Sequence, residues 1–468
     1  MENNIENEET LLEQELPTAE ELSVLMEEKK YSEIKKIVST LEAVDIAAIY
    51  EELPKEHRAK FFRLLPKERA AEVFVEMDSD HKENIVSAFT DRELSEVLSD
   101  MYLDDTVDTI EEMPANLVKR ILRNSTPENR AHINQLLRYP KDSAGTVMTV
   151  EYVRLTKNLT VEGALKHIRE VAIDKETIYT CYVTDRDRRL IGIVTARDLL
   201  LSSPETLIGD IMDENVIFAT TAEDKESVAR KINKYGFLAL PIVDNESRLV
   251  GIVTVDDAIE VLERETDEDI SKMAAITPTE TSYLKTSAFT LFRARIPWLL
   301  LLMISATLSS TILGVFENSL LPVLVLFVPM LMDSGGNSGS QASVTAIRAL
   351  SVGEIEVSDL LRVLWKEIRV GALCGVCLGV VAFGKVLLVD RLIMNNLEVT
   401  LFVASAVSLA LFATIFVAKL IGSSLPLLAK RLHLDPAVMA SPFITTLVDA
   451  VSLVLYFLIS SKIFGLTL

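Results

Sequence analysis

The pattern of apolar residues divides the chain near residue 297. From Trp298 to Leu468 the sequence predicts five long apolar helices, at roughly 297–316, 320–349, 368–389, 399–421 and 437–463. Each is long enough to cross the hydrocarbon core of a bilayer, which takes about 20 helical residues. Residues 297–468 are therefore predicted to form an all-α transmembrane domain of five helices.

Residues 21–138 are predicted to form a helical N-terminal domain, because they contain a short internal repeat. The sequence Leu-Pro-Lys-Glu at residues 53–56 recurs at residues 65–68, and Met-Asp follows at 77–78. A repeat of about twelve residues is typical of short stacked helices in a small superhelical array. Residues 1–20 are acidic and are predicted to be a disordered tail.

Residues 143–262 contain a second and stronger repeat. Residues 189–198 read RLIGIVTARD and residues 248–257 read RLVGIVTVDD, each after an upstream apolar strand. Strand, turn, strand and a helix that begins at threonine make a compact α/β unit with a buried sheet. The two copies resemble a tandem pair of CBS domains.

Residues 263–296 are predicted to connect the CBS pair to the membrane domain. Residues 263–269 are mostly carboxylates, and the alternative interpretation of this run is a solvated helix end. A linking (plug) helix is then predicted over residues 278–295, with Arg293 and Arg295 at the cytoplasmic border.

The charge distribution agrees with this division. The net charge is −22, although 49% of residues are hydrophobic. From Pro297 onward there are ten acidic and ten basic residues, so residues 1–296 carry the whole −22. An acidic soluble half disfavours nucleic acid as a partner and favours cations. The three cysteines fit a reducing cytoplasm better than a disulfide scaffold.

The basic residues of the membrane half predict its orientation. Arg362, Lys366 and Arg369 lie between the second and third spans, and Lys430 and Arg431 between the fourth and fifth. Because basic connections stay in the cytoplasm, the N-terminus is predicted inside and the C-terminus outside. The protein is therefore expected to be a multi-pass protein of the cell membrane.

Two polar features occur at the predicted membrane depth. Residues 333–341 read DSGGNSGSQ, and an irregular backbone is expected there. Such a backbone is tolerated only where protein buries it or water lines it. Asp449 lies within the last span, and a carboxylate at that depth usually faces a bundle interior or a pore. Together these features predict a path for cations.

The order of these parts resembles the MgtE family of magnesium channels over nearly the whole chain. The resemblance rests on GGNSGSQ at 335–341, LDPA at 434–437 and PFITTLVD at 442–449. It implies a homodimer in the lipid bilayer with the ion path on its two-fold axis. It also implies Mg²⁺ uptake through an Mg²⁺-selective channel that is gated by cytosolic Mg²⁺.

The resemblance assigns three residues to the pore. Asp449 matches the family's pore aspartate, with a buried hydrogen bond between helices as the alternative. Asn337 matches a turn near the pore, with a plain cap or turn residue as the alternative. Asp435 matches an aspartate at the cytoplasmic end, and an N-cap before Pro436 is the alternative.

The resemblance also assigns a cytosolic Mg²⁺ sensor between the helical domain and the CBS pair, for which solvated surface carboxylates are the alternative. Asp104 and Asp108 are four residues apart, so they share one helix face. Gly236 departs from the family, which often has an aspartate there. The matching carboxylates are Glu72, Asp104, Asp108, Asp224, Glu226, Asp257, Glu260, Glu265, Glu268 and Asp269.

Two rival functions remain open. Asp449 could serve a proton- or cation-coupled secondary transporter, although such proteins often show repeated spans and none is found here. The CBS pair could bind an adenine nucleotide such as ATP as a regulator, with Thr195, Asp198, Thr254 and Asp257 near its ribose. An enzyme is not expected, because the sequence contains no grouping of a nucleophile with a base.

Overall fold

The computed structural model describes residues 17–279, 283–284, 286–317, 321–439 and 441–465, so most of the predicted acidic tail lies outside it. The chain forms two compact units, Met1–Leu262 and Glu263–Leu468.

The described part of the first unit begins with ten short helices, which confirms the predicted helical part. Leu53, Leu65 and Met77 are all buried, and each stands two residues before the start of a helix. The short repeat thus places one buried apolar residue before each of these three helices. The helices are α1 (Ala19–Glu27), α2 (Tyr31–Val38), α3 (Ala43–Glu52), α4 (Lys55–Phe62), α5 (Lys67–Val75), α6 (Ser79–Ala88), α7 (Asp91–Ser99), α8 (Leu103–Glu112), α9 (Ala115–Asn124) and α10 (Pro127–Leu136).

Two three-stranded sheets follow, and they confirm the predicted α/β pair. In each sheet the first two strands are parallel and the last two antiparallel. The strands are β1 (Tyr152–Thr156), β2 (Thr177–Thr184), β3 (Leu190–Thr195), β4 (Ala219–Thr220), β5 (Ala239–Val243) and β6 (Leu249–Thr254). The helices are α11 (Val161–Val171), α12 (Ala196–Leu201), α13 (Ile208–Ile211), α14 (Lys225–Tyr235) and α15 (Val255–Met273).

The predicted linking helix over 278–295 is helical from Ala288 onward, and the described residues before it are not; residues 280–282 and 285 lie outside the described part of the chain. The carboxylate run at 263–269 instead continues α15, which starts directly after β6. The described residues between 276 and 287 are not helical, and the next helix begins only at Ala288. Residues 277–287 contain six threonine and serine residues, which have low helix propensity.

The described residues of the second unit form five long helices: α16 (Ala288–Glu317), α18 (Val328–Ser351), α19 (Leu360–Lys385), α20 (Leu401–Arg431) and α21 (Ser441–Phe464). A short α17 (Pro322–Val325) precedes α18, and a π-helical segment, Val386–Ile393, follows α19. In the described part of the chain, four segments are long and apolar enough to cross a membrane. The predicted second span is not among them, because α18 carries the polar run 333–341.

The irregular backbone predicted for residues 333–341 is not found, because α18 is a continuous α-helix there. Its glycines face the neighbouring helices. A Cβ at Gly335 would lie 2.6 Å from Cγ2 of Thr414, and one at Gly339 would lie 2.9 Å from Cγ2 of Ile444. The glycines therefore allow close helix packing and do not break the helix.

Helix α20 is packed through glycine on two sides. A Cβ at Gly422 would overlap the backbone carbonyl of Gly339 in α18. On the other side, Gly371, Gly375 and Gly379 of α19 form a stripe four residues apart, and a Cβ at Gly375 would lie 2.9 Å from the Phe412 ring of α20. The small residues thus set how closely α18, α19 and α20 approach.

Gly422→Ala should destabilise the membrane unit, because the added methyl group meets backbone and not a movable side chain. We expect a loss of about 1–3 kcal/mol of unfolding free energy, measured as a lower melting temperature of the purified protein in detergent. Gly384→Ala is the matched control, since a Cβ at Gly384 meets nothing within 4 Å. Equal melting temperatures for the two variants would contradict the proposed role of this contact.

Candidate functional site

Carboxylates from the helical part and from the CBS pair meet in the first unit. Asp104 of α8 is only 8% exposed. One carboxylate oxygen from each of Asp104, Glu151 and Glu176 lies within 4.8 Å of the others. Asp105 and Asp257 interact electrostatically with this group. We call these five residues the acidic cluster.

Strand pairing places two members of the acidic cluster. Glu151 and Glu176 directly precede β1 and β2, which are parallel neighbours. The backbone N–H of Glu176 donates to the carbonyl of Glu151 at 2.9 Å, so the two side chains start from adjacent positions. Asp257 lies in the first turn of α15 and accepts a hydrogen bond from the Thr254 hydroxyl at 2.5 Å.

Four members of the acidic cluster hold protons more tightly than ordinary carboxylates do. Burial, followed by repulsion from neighbouring carboxylates, raises the pKa values of Asp104, Asp105 and Asp257 to about 7 and that of Glu176 to about 9. The folded unit therefore binds more protons than the unfolded chain between about pH 4 and these values. Without cations, its stability is greatest below this window and falls as pH rises through it.

The structure brings together three of the predicted sensor residues, Asp104, Asp108 and Asp257. Asp104 interacts electrostatically with both of the others. Sequence reasoning missed Asp105, Glu151 and Glu176. Asp105 adjoins a predicted ligand, but the two glutamates are distant in sequence, and only the strand register brings them together.

Three of the other four predicted sensor residues of the first unit have structural partners. Glu72 forms an ion pair with Arg69 at 2.7 Å, and Glu226 forms one with Arg230. Asp224 caps α14 and accepts from the N–H of Ser227 at 2.9 Å. Glu260 is exposed on α15. Gly236, where the family often has aspartate, ends α14 at φ = 67°, a conformation that favours glycine.

Three predicted sensor carboxylates belong to the part of α15 that lies in the second unit: Glu265, Glu268 and Asp269. Lys272, one turn later, forms ion pairs with Glu268 and, at 2.6 Å, with Asp435. Asp435 also accepts from the N–H of Ala437 at 2.8 Å, as its capping alternative predicts. Asp269 accepts from the Ser351 hydroxyl at 3.1 Å.

The residues considered for a nucleotide form two equivalent pairs. Thr195 donates to Asp198 at 2.5 Å, and Thr254 donates to Asp257 at the same distance. Thr195 and Asp198 form a capping box at the start of α12, which accounts for their positions structurally. The Thr254–Asp257 pair differs because Asp257 also belongs to the acidic cluster.

In the membrane unit, Asp449 of α21 lies against the glycine face of α18. A Cβ at Gly336 would be 3.6 Å from its Oδ1. This oxygen is buried and has no hydrogen-bond partner among the described residues. A hydrogen bond between helices, the alternative for Asp449, is therefore not observed at Oδ1. Asp333 is a second carboxylate within electrostatic range of Asp449.

Asn337 lies in the middle of α18 and is exposed, so it is neither a cap nor the predicted turn residue. Asp333 and Gln341 are also exposed, and the spacing of four puts all three on one face of the helix. We call this face the polar face of α18. Sequence reasoning missed Lys419 of α20, a buried ammonium that donates to Oε1 of Gln341 at 3.2 Å.

A further grouping of Glu51, Asp78 and His81 has metal-ligand residue types. Arg58 lies 2.9 Å from Nε2 of His81, and a guanidinium can only donate. The proton of a neutral His81 is therefore on Nδ1, which faces Glu51 at 3.7 Å. This arrangement fits an ion-pair network of the helical core better than a metal site.

Comparison with known proteins extends over almost the whole chain. The model of MgtE, a divalent cation transporter family, matches residues 328–459; the MgtE intracellular N domain matches 41–142, and the CBS domain matches 144–205 and 208–264. The magnesium transporter MgtE of Thermus thermophilus is 36% identical over 429 residues, which is 90% of this chain and 93% of the relative. The magnesium transporter MgtE of Bacillus subtilis is 32% identical over 440 residues, with 93% and 94% coverage.

A solved structure resembles the N-terminal half. The crystal structure of the cytosolic domain of the Mg²⁺ channel MgtE in complex with ATP is 37% identical. It covers 52% of this chain and 99% of its own, with a TM-score of 0.50.

Binding of a divalent cation by the acidic cluster should release protons, because the ion needs ionised carboxylates and several have pKa values near 7. We expect the affinity to weaken below pH 7, by up to about tenfold per pH unit for each proton displaced. Calorimetric titration with Mg²⁺ in two buffers of different ionisation enthalpy measures the release. Identical heats in both buffers would contradict it, and the variant with Asp104→Asn and Asp257→Asn should release fewer protons.

Proposed function

Because the chain belongs to the MgtE family of divalent cation transporters, we propose that it carries Mg²⁺ into the cell through a membrane channel that cytosolic Mg²⁺ closes. One observation carries the transport part of this proposal. Asp449, whose Oδ1 is buried, and the polar face of α18 lie together in a unit whose other long helices are apolar.

The ion path is proposed to follow Asp449 and the polar face of α18, with Asn337 on that face and Asp435 at the cytoplasmic end. Mg²⁺ gives up its water reluctantly, so it is expected to pass with much of its hydration shell. Carboxylate and amide oxygens then accept hydrogen bonds from the ion's water molecules. This arrangement favours high charge density without a tight cage of ligands.

The polar face of α18 also supports a homodimer. Asp333, Asn337 and Gln341 are exposed in a single copy, and in a bilayer they would face lipid at high cost. A second copy related by a two-fold axis would cover them and double the number of oxygen groups along the path. We therefore place the path between two copies of α18 and α21.

The proposed orientation follows from the basic residues. Arg362, Lys366 and Arg369 at the start of α19, and Lys430 and Arg431 at the end of α20, are assigned to the cytoplasm. The N-terminal half is then cytoplasmic, and the C-terminus is outside if α18 also crosses the membrane. In this orientation the acidic cluster lies on the cytosolic side, where it can bind cytosolic Mg²⁺.

The gating proposal rests on the repulsion within the acidic cluster. Asp104 and Asp105 come from the helical part, whereas Glu151, Glu176 and Asp257 come from the CBS pair. A bound Mg²⁺ would neutralise these charges and hold the two parts together, and its loss would let them separate. We propose that this separation is transmitted along α15, where Glu260, Glu265, Glu268 and Asp269 provide further carboxylates.

A nucleotide is proposed as a second ligand of the CBS pair. The Thr195–Asp198 and Thr254–Asp257 pairs offer the carboxylates that a ribose would need, and the similar cytosolic domain was solved with ATP. No catalytic role is assigned to the pair. Coupled secondary transport stays an alternative, distinguished by whether a proton gradient drives Mg²⁺ uptake.

Asp449→Asn should reduce Mg²⁺ flux at least tenfold in proteoliposomes, because it removes the partly buried carboxylate charge from the proposed path. Flux is read with an Mg²⁺-sensitive dye, and assembly is checked by size-exclusion chromatography. Glu398→Gln is the matched control, since it removes one exposed carboxylate from the same unit. Wild-type flux through a correctly assembled Asp449→Asn protein would rule out this path.

Replacing Asp104, Asp108 and Asp257 together by Asn should leave the channel active at high cytosolic Mg²⁺. The change removes ligands that would hold the closed form, whereas relief of repulsion alone would favour closure. Recording from inside-out patches at rising Mg²⁺ distinguishes these effects. The matched control replaces three exposed glutamates of the helical part by Gln: Glu20, Glu33 and Glu56. Unchanged inhibition in the Asn variant would disprove the sensor assignment.

A further inference from the structure

The C-terminal end of α15 is fixed within the second unit by three kinds of contact. Nζ of Lys272 lies 2.6 Å from Oδ2 of Asp435. The Ser351 hydroxyl at the end of α18 donates to Asp269 at 3.1 Å. Met273 packs against Ile347 and Ala437. The end of α15 is therefore attached both to α18 and to the connection between α20 and α21.

Lys272 is the centre of this attachment. Its ammonium also forms an ion pair with Glu268, one turn earlier on the same helix. The Lys272 side chain is 26% exposed and that of Asp435 34%, so solvent screens this pair less than an exposed one. Asp435 is in turn held by the N–H of Ala437, which fixes the carboxylate before the ammonium binds it.

Lys272 lies among several carboxylates, so its positive charge matters as well as its packing. Glu268, Asp269 and Asp435 place three carboxylates close together, and each of them affects the others or Lys272 electrostatically. The Lys272 ammonium offsets one of these charges. Carboxylate oxygens are also the ligands that Mg²⁺ and similar ions prefer. Lys272 and a divalent ion would therefore bind the same carboxylates here.

We propose that Lys272 is a positioning residue whose ammonium takes the place of a divalent ion. It holds the end of α15 to Asp435 when no divalent ion is bound. When an ion is present, Lys272 competes with it for Glu268 and Asp435. The competition part rests on the proposed Mg²⁺ sensing, whereas the holding part depends only on the contacts within the second unit. The ammonium thus gives the ion-free protein a fixed helix end.

The test measures backbone hydrogen exchange of residues 263–273 in the full chain, reconstituted in lipid nanodiscs. In EDTA, Lys272→Met should raise the exchange rate roughly fivefold, the scale of a partly exposed ion pair. Lys272→Arg should stay near wild type because it keeps the charge. Lys430→Met is the matched control, since it removes an exposed lysine from the last turn of α20.

A double-mutant cycle separates pairing from general damage. Asp435→Asn should raise exchange about as much as Lys272→Met, and the double variant should add little. Unchanged exchange in Lys272→Met, or additive effects in the double variant, would overturn the holding role.

Titration with Mg²⁺ then tests the competition. Mg²⁺ is expected to slow exchange of this segment in both variants, and the concentration that gives half of this effect should be several-fold lower in Lys272→Met than in the Lys430→Met control. An equal or higher concentration would overturn the competition, as would a wild-type segment that does not respond to Mg²⁺. Mg²⁺ flux through wild-type proteoliposomes reports on the proposed transport separately, so its failure is distinguishable from that of Lys272.

Discussion

Repulsion between carboxylates that water screens poorly is the constraint on which this protein depends. In the first unit, five carboxylates meet at the junction of α8, β1, β2 and α15, and burial raises the pKa values of four of them. Such a cluster stays together only with bound protons or bound cations. In the second unit, Lys272 offsets part of the same kind of charge. Both units thus concentrate negative charge, which bound protons can offset in the first unit and the Lys272 ammonium offsets in the second.

The membrane unit meets a different requirement, which is to hold a polar helix among apolar ones. Helix α18 does so by separating its two faces. Gly335, Gly336 and Gly339 face neighbouring helices closely, whereas Asp333, Asn337 and Gln341 are exposed on the polar face. All backbone groups inside the helix are paired, so the small residues cause no loss of hydrogen bonds. Glycine is used here to bring helices together and to set Asp449 against α18.

Sequence patterns with a short period predicted the fold well. The twelve-residue repeat and the RLxGIVT repeat gave the helical part and both sheets, because each repeat encodes its own local structure. The sequence-based predictions were wrong where one residue type can have either of two structural roles. The glycines of 335–339 suggested irregular backbone but serve packing, and the carboxylates of 263–269 suggested a linker but continue α15. Glu151 and Glu176 could not be found from sequence, because strand pairing alone makes them neighbours. Lys272 was overlooked because its partner Asp435 is distant in the chain.

One carboxylate, Asp257, belongs to two arrangements at once. It accepts a hydrogen bond from Thr254, in the pair that matches Thr195 and Asp198, and it also contributes to the acidic cluster. Any ligand that engages the Thr254–Asp257 pair therefore changes the charge that a cation at the cluster experiences. Thermodynamic linkage then requires reciprocity: the factor by which such a ligand alters cation affinity equals the factor by which the cation alters the affinity for that ligand. A shared aspartate is thus enough to make the two equilibria interdependent, without any change in backbone conformation.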